Sequence, residues 1–170
     1  NLEYTYSDFD AIWKKFNYEF LVWVPKEKQQ LAEQIIGENV NYQTAWKNAV
    51  DNSKKELAIN PNDIYARFNL SVALYNTGDY KGSVEEFEKV ENLLPFRSLW
   101  YQIEPIEAYF QLGDYNRVFQ ITDKILNNQN RAFSELYILR GKIYQSRGQT
   151  QLAQGESCTA IAEIKKNKNS

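Results

Sequence analysis

The stretch Leu70–Pro95, LSVALYNTGDYKGSVEEFEKVENLLP, predicts two antiparallel helices joined by a tight turn around Gly78. The turn returns at Gly113 and, in a more divergent form, at Gly148, so the spacing is 113 − 78 = 35 and 148 − 113 = 35 residues. Glycine suits the end of the first helix of each pair because it adopts the left-handed conformation at little cost. A fixed period of this size predicts an array of helical hairpins.

The repeated hairpin resembles the tetratricopeptide repeat (TPR), a unit of about 34 residues with aromatic and small residues at fixed places and a closing Pro. The first copy carries the resemblance most fully, at Leu70, Ser71, Leu74, Gly78, Tyr80, Ser83, Phe87, Val90 and Pro95. The second copy has Pro105 where a Leu is usual, and an earlier half-copy is visible at Trp46, Ala49, Leu57 and Pro61. The resemblance covers about residues 41–165. It implies an all-α TPR superhelix of about three hairpins, plus an N-terminal helical cap.

Local signals place the helices of this array. We expect helices at Lys26–Ile36, ended by Gly37, and at Tyr42–Ala58, followed by a turn whose Asp63 caps the next helix. The hairpins are then expected at about 63–77 with 80–93, 98–111 with 115–128, and 133–147 with 149–165. Because Pro105 cannot continue a regular helix, the helix that contains it should kink or start late.

Residues 1–25 do not fit the repeat. A short helix capped by Ser7 is expected first, and the aromatic and β-branched run Tyr18–Pro25 then predicts a strand-like segment. Two alternatives remain open: residues 1–25 are an irregular cap, or they are the tail of a preceding domain, with residues 26–170 as the TPR domain. A lone extended segment leaves backbone groups unpaired. We therefore expect self-association through residues 18–25.

The second alternative gains from another resemblance, carried by Phe16, Asn17, Phe20–Pro25 and Leu99–Phe110. Together with the hairpins, these residues resemble the C-terminal part of bacterial proteins in which a papain-like cysteine peptidase domain, of the bacteriocin-processing type, precedes TPRs. The family's catalytic Cys and His lie upstream of the matching segment. The resemblance implies a non-catalytic accessory part of a bacterial protein, and it leaves a cell-envelope or secreted location open.

Composition narrows the chemistry. The chain has no His and a single cysteine, Cys158, which we expect to be a half-buried packing thiol. No catalytic residue, metal site or cofactor is therefore predicted, and the chain is not expected to be an enzyme by itself. The net charge of −2 argues against a nucleic-acid surface, and no apolar run reaches the length of a membrane span.

The TPR resemblance also implies a candidate binding groove, because the first helices of TPR hairpins line the concave face. The residues expected there are Tyr65, Phe68, Val72, Tyr75, Trp100, Ile103, Glu107, Phe110, Ile138 and Lys142. An exposed aromatic and apolar surface of this kind usually binds a partner. Coverage by residues 1–25 and ordinary core packing are the alternatives.

Two functions follow from these observations. The leading prediction is a scaffold that binds a protein or peptide through the aromatic-rich groove. The alternative is an accessory domain of a papain-like cysteine peptidase, which positions substrate or docks on the catalytic domain.

Overall fold

The computed structural model describes residues 5–19, 22–95, 98–99, 102–127 and 134–168, with side chains as far as Lys165. Over these residues the protein is all-α, as predicted, and none of them lies in a β-strand. The helices are α1 (Tyr6–Trp13), α2 (Gln29–Ile36), α3 (Tyr42–Ile59), α4 (Ile64–Asn76), α5 (Tyr80–Glu88), α6 (Glu104–Gln111), α7 (Tyr115–Leu126), α8 (Ser134–Ser146) and α9 (Thr150–Lys168). The chain divides into two compact units between Pro105 and Ile106.

The three glycine turns have the same backbone conformation. The φ angles of Gly78, Gly113 and Gly148 are 88°, 77° and 71°, which confirms the left-handed helix ends expected from the sequence. At the first turn, the N–H of Gly78 donates to the Tyr75 carbonyl and the next N–H donates to the Leu74 carbonyl, both at 2.9 Å. Corresponding bonds form at the other two turns. Each turn thereby satisfies carbonyl groups that a helix end leaves without partners.

Aspartates begin the helices that follow two of these turns. The Asp79 carboxylate accepts the Gly82 N–H at 2.9 Å, and the Asp114 carboxylate accepts the Arg117 N–H at 3.1 Å. Asp63 does the same for α4, as predicted, by accepting the N–H groups of Tyr65 and Ala66. These side chains fix where the helices start.

In the first unit, α4 packs between α3 and α5. Val50 of α3 packs against Leu70 and Ala73 of α4. On the α5 side, the buried hydroxyl of Ser71 donates to the Ser83 carbonyl at 2.7 Å. Small residues at this contact let the two helix backbones approach closely. The core of this unit therefore follows the pattern of apolar and small residues predicted for the hairpin.

In the second unit, α8 packs along α9, and a small residue again lies at the contact. A side-chain carbon added to Gly141 of α8 would stand 3.6 Å from the Ala153 carbonyl of α9. Beside it, the Arg140 guanidinium pairs with Glu156 of α9 at 2.9 Å and with Asp123 of α7. This arginine links three helices of the unit.

Several local expectations require correction. Thr5, not Ser7, caps α1, because its hydroxyl accepts the Asp8 N–H while the Asp8 carboxylate accepts the N–H of Thr5. The segment Tyr18–Pro25 shows no strand: Tyr18 has a left-handed φ of 54°, and Val22–Pro25 is irregular. Phe20 and Leu21 lie outside the described residues.

The predicted effect of Pro105 is confirmed in one of its two forms, the late start. Helix α6 begins at Glu104, which places Pro105 in the first turn, where a missing N–H costs nothing. Helix α5 is shorter than expected. It ends at Glu88, and residues 89–93 form turns.

Candidate functional site

The predicted groove residues of α4 differ in exposure. Phe68 and Val72 are buried, with 1% and 0% of their surface exposed, so neither offers surface to a partner in this structure. The ring of Phe68 packs 6.3 Å from that of Phe87 on α5. Tyr65 and Tyr75 are half-buried. This part of the predicted groove is therefore core in its middle and partly accessible at its ends.

The other predicted groove residues are divided between the two units. Ile103 belongs to the first unit and is half-buried, while Trp100 lies outside the described residues. Glu107 and Phe110 of the second unit are half-buried, whereas Ile138 and Lys142 of α8 are exposed. Their joint action as one binding groove stays a prediction.

The N-terminal 3₁₀ turn at residues 14–16 covers one end of α4. Its Lys14 carbonyl accepts a hydrogen bond from the buried Asn69 side chain at 2.9 Å, and the Lys15 ammonium lies 5.4 Å from the centre of the Tyr65 ring. At Tyr65, therefore, residues of the N-terminal segment cover the predicted groove, which is one of the alternatives given above.

Lys14 ties this turn to two helices through its ammonium group. The Nζ atom lies 2.6 Å from Glu56 at the end of α3 and 2.7 Å from Asp63 at the start of α4. Burial lowers the pKa of Lys14, but the hydrogen bonds and charges of Asp63 and Glu56 outweigh it and raise the pKa overall. Burial, followed by the charge and hydrogen bond of Glu56, raises the pKa of Tyr18 to about 12. The Tyr18 hydroxyl donates to Glu56 at 3.1 Å.

A cleft of about 840 Å³ lies in the first unit, and we call it the α2–α3 cleft. Helix α3 forms one wall and α2 the other, and residues from the N-terminal segment complete it. Its apolar lining is supplied by Val22, Val24, Ile36, Val40, Trp46 and Ala49. Its amide side chains are Asn17, Gln29, Asn39, Asn48 and Asn52.

The charge of the α2–α3 cleft has one sign. Glu19, Glu33, Glu56 and Glu104 line it, and no lysine or arginine is among the described lining residues. Lys14 does not line the cleft, but its ammonium pairs with Glu56 at 2.6 Å and neutralises part of that charge. The Nδ2 atom of Asn17 is buried and has no hydrogen-bond partner within the described part of the chain. The cleft therefore offers an apolar body and an acidic rim.

Sequence reasoning did not find this cleft. The half-copy of the repeat at Trp46 and Ala49 lies on α3, but it does not predict a cleft beside that helix. The sequence signal is Gly37, which predicts the end of the preceding helix. In the structure that helix has only eight residues, so the face of α3 has no full-length neighbour.

A second hollow, of about 670 Å³, lies in the other unit among α7, α8 and α9. Arg140 lines it and is engaged by Asp123 and Glu156, while the Arg140 guanidinium also lies 5.1 Å from the Phe119 ring centre. The contacts of this arginine are those of a structural link between helices.

Cys158 is exposed, so the expectation of a half-buried packing thiol is wrong. The inward stripe of α9 contains Ala153, Glu156, Ala160 and Glu163, and position 158 lies off that stripe. Among the described residues, no group of three or more His, Cys, Asp or Glu side chains is placed to hold a metal ion.

None of the described helices combines the length and the apolar character needed to cross a bilayer.

No protein-family model matches this chain, and no curated protein is significantly similar to it in sequence.

Proposed function

We propose that this chain is a binding module for a peptide or a segment of another protein, built on TPR-type helical hairpins. The α2–α3 cleft carries the proposal, since about 840 Å³ falls in the size range of ligand pockets. Its apolar lining with a few polar groups is also typical of a site that buries a ligand and fixes its orientation.

The polar groups of the cleft suit a polypeptide ligand. A carboxamide carries both a donor and an acceptor, which complement the C=O and N–H of a peptide group.

The TPR-type scaffold is supported by the three glycine turns, which repeat with the same left-handed conformation and the same pair of backbone bonds. It is supported further by the small residues at the α4–α5 and α8–α9 contacts.

A peptide-library selection on the immobilised protein tests the proposal. Asn52→Trp fills the cleft from α3, and Lys55→Trp is the matched control because Lys55 is exposed on the same helix outside the lining. We expect selected peptides to lose at least tenfold in affinity for Asn52→Trp and to keep their affinity for Lys55→Trp. Failure to select any peptide, or equal binding to both variants, contradicts a binding site in the cleft.

The accessory-domain alternative is favoured by a different observation, the exposed aromatic side chains of the N-terminal segment. Tyr6 is 97% and Trp23 is 86% exposed, and Phe9 is also exposed. Such side chains suit a surface that lies against another domain or a second copy of the chain. If a papain-like domain is encoded ahead of Asn1, adding that domain should protect residues 5–25 from amide exchange. Unchanged exchange contradicts this alternative.

A further inference from the structure

The wall of the α2–α3 cleft formed by α3 has a counterpart in the complete hairpin. The half-copy and the first copy are offset by 34 residues, as Pro61 and Pro95 show. At this offset Trp46, Ala49 and Ser53 correspond to Tyr80, Ser83 and Phe87 of α5. Those α5 residues contact α4. Rings of Tyr80 and Tyr75 lie 5.5 Å apart, Ser83 accepts the Ser71 hydroxyl, and Phe87 packs on Phe68. The face of α3 that lines the cleft is therefore the face that its counterpart, α5, buries against a preceding helix.

The segment of this chain that corresponds to α4 in the repeat does not form a full-length helix against α3. The counterparts of Phe68, Ser71 and Tyr75 are Gln34, Gly37 and Asn41, because each lies 34 residues earlier. Two are polar amides, and Gly37 has a φ of 67°, which ends α2 after eight residues. By contrast, α4 has 13 residues. The cleft stands in the place of the first helix of a hairpin whose second helix is α3.

We infer that the α2–α3 cleft receives a cationic amphipathic helix from a partner protein, which completes the hairpin with α3; this inference rests on the proposed binding function. A helix about 10 Å wide that rises 1.5 Å per residue occupies roughly 120 Å³ per residue. A cleft of about 840 Å³ therefore holds roughly seven residues, or two helical turns.

The lining defines the chemistry of this helix. Ala49 and Ser53 are small and Trp46 is half-buried, so the partner helix should present medium-sized apolar residues at i, i+3, i+4 and i+7. The glutamates of the rim, among them Glu33 on α2, favour lysine or arginine on the flanks of that helix. A helix also satisfies its own backbone groups except at its ends, so its backbone can enter an apolar cleft at little cost.

Three dye-labelled 14-residue peptides, measured by fluorescence polarisation on the whole chain, test the inference. The first carries leucine and alanine on one helical face and lysine elsewhere. The second has glutamate in place of lysine, and the third is the lysine peptide with a central proline. We expect the lysine peptide to bind at least tenfold more tightly than either of the others and to gain helical circular dichroism when bound. The Asn52→Trp variant should abolish this binding, and Lys55→Trp should preserve it.

Glu33→Lys reverses one charge of the rim on an exposed residue of α2. It should weaken the lysine peptide three- to tenfold and flatten the salt dependence of its affinity. Equal affinity of the lysine and glutamate peptides overturns the charge assignment.

The outcomes distinguish failure of this inference from failure of the proposed binding function on which it rests. If library-selected peptides bind through the cleft but the proline peptide binds as tightly as the helical one, the ligand is extended; the helix inference fails and the binding function stands. If neither the helical peptides nor the selected peptides distinguish Asn52→Trp from Lys55→Trp, both fail.

Discussion

The ammonium of Lys14 lies 2.7 Å from the carboxylate of Asp63, the residue that caps α4. This contact fastens the N-terminal turn to the start of the first complete hairpin. Because the same ammonium also reaches Glu56, one side chain joins the N-terminal segment to the end of α3 and the beginning of α4. This junction holds the 3₁₀ turn at residues 14–16 against the end of α4 that the turn covers.

Removing the Lys14 charge should release the N-terminal turn. We expect Lys14→Met to lower the free energy of unfolding by about 1–2 kcal/mol, between the values typical of exposed and buried ion pairs. Amide exchange at residues 14–19 should accelerate. Lys15→Met is the control, because it loses only the contact with the Tyr65 ring and should cost less than about 1 kcal/mol. Equal effects of the two substitutions would refute a special role for Lys14.

The same ion pair should make stability depend on pH in acid. Burial raises the pKa of Asp63, but the backbone N–H of Ala66 and the Lys14 ammonium outweigh it and hold the pKa below 3.8. A depressed folded-state pKa contributes stability above pH 3.8, and this stability is lost as the pH falls through the folded value.

Asp63→Asn isolates this effect, because asparagine still caps α4 but carries no charge. We expect the wild type to be more stable than this variant at pH 6, and the difference to shrink as the pH is lowered below 3.8. Urea unfolding at several pH values measures it. A difference that stays constant down to pH 2 would show that the Asp63 charge is not linked to folding.

Alkaline pH should loosen the same segment through Tyr18. Its pKa is raised from 10.0 to about 12 in the folded state, so the neutral phenol is favoured by folding. The associated stability is complete below pH 10 and declines between pH 10 and about 12, where the unfolded chain loses the proton first. Tyr18→Phe should lack this part of the alkaline decline. Superimposable alkaline profiles for the two proteins would contradict the assignment.

Gly141 tests how closely α8 and α9 pack. An added Cβ would meet the Ala153 carbonyl at 3.6 Å, an ordinary contact. Gly141→Ala should therefore stabilise the protein by about 0.5–1 kcal/mol through helix propensity, whereas Gly141→Leu should destabilise it by about 1–3 kcal/mol through overpacking.

Gly155→Ala is the control for this pair, since open space surrounds that position and only the propensity gain is expected. Thermal unfolding of the three variants measures the effects. A Gly141→Leu protein as stable as Gly141→Ala would mean that the two helices are not closely packed there.

Arg140 should be required for the stability of the second unit. Arg140→Ala leaves Glu156 without this partner and removes the link to Asp123, which we expect to cost about 2–3 kcal/mol. Arg140→Lys should recover less than half of that loss, because an ammonium cannot reproduce the planar guanidinium contacts. Arg147→Ala, at an exposed position over the rings of Tyr115 and Phe119, is the control and should cost less than about 1 kcal/mol. Full recovery by lysine would show that charge alone matters.

The local architecture of this protein follows from short stretches of its amino-acid sequence. The glycines at 78, 113 and 148 predict the helix ends, because only a residue without a side chain adopts the left-handed conformation cheaply. Asp63 predicts the start of α4, and Pro105 predicts a late start of α6, for equally local reasons: a side-chain acceptor at one position and a missing donor at the other. Each depends on a few neighbouring residues, so each can be recognised without the fold.

Which helix faces are covered depends on long-range packing. By residue type, Phe68 and Val72 suit a binding surface, but both lie in the core. Cys158 suits a packing position, but it is exposed. The contacts of Lys14 join residues separated by 42 and 49 positions in the chain, and Lys14 itself lies outside the repeat, so the repeat period does not predict them. The α2–α3 cleft arises in the same way, because its volume is set by the distance between two helices, whereas a sequence pattern specifies only which residues share a face.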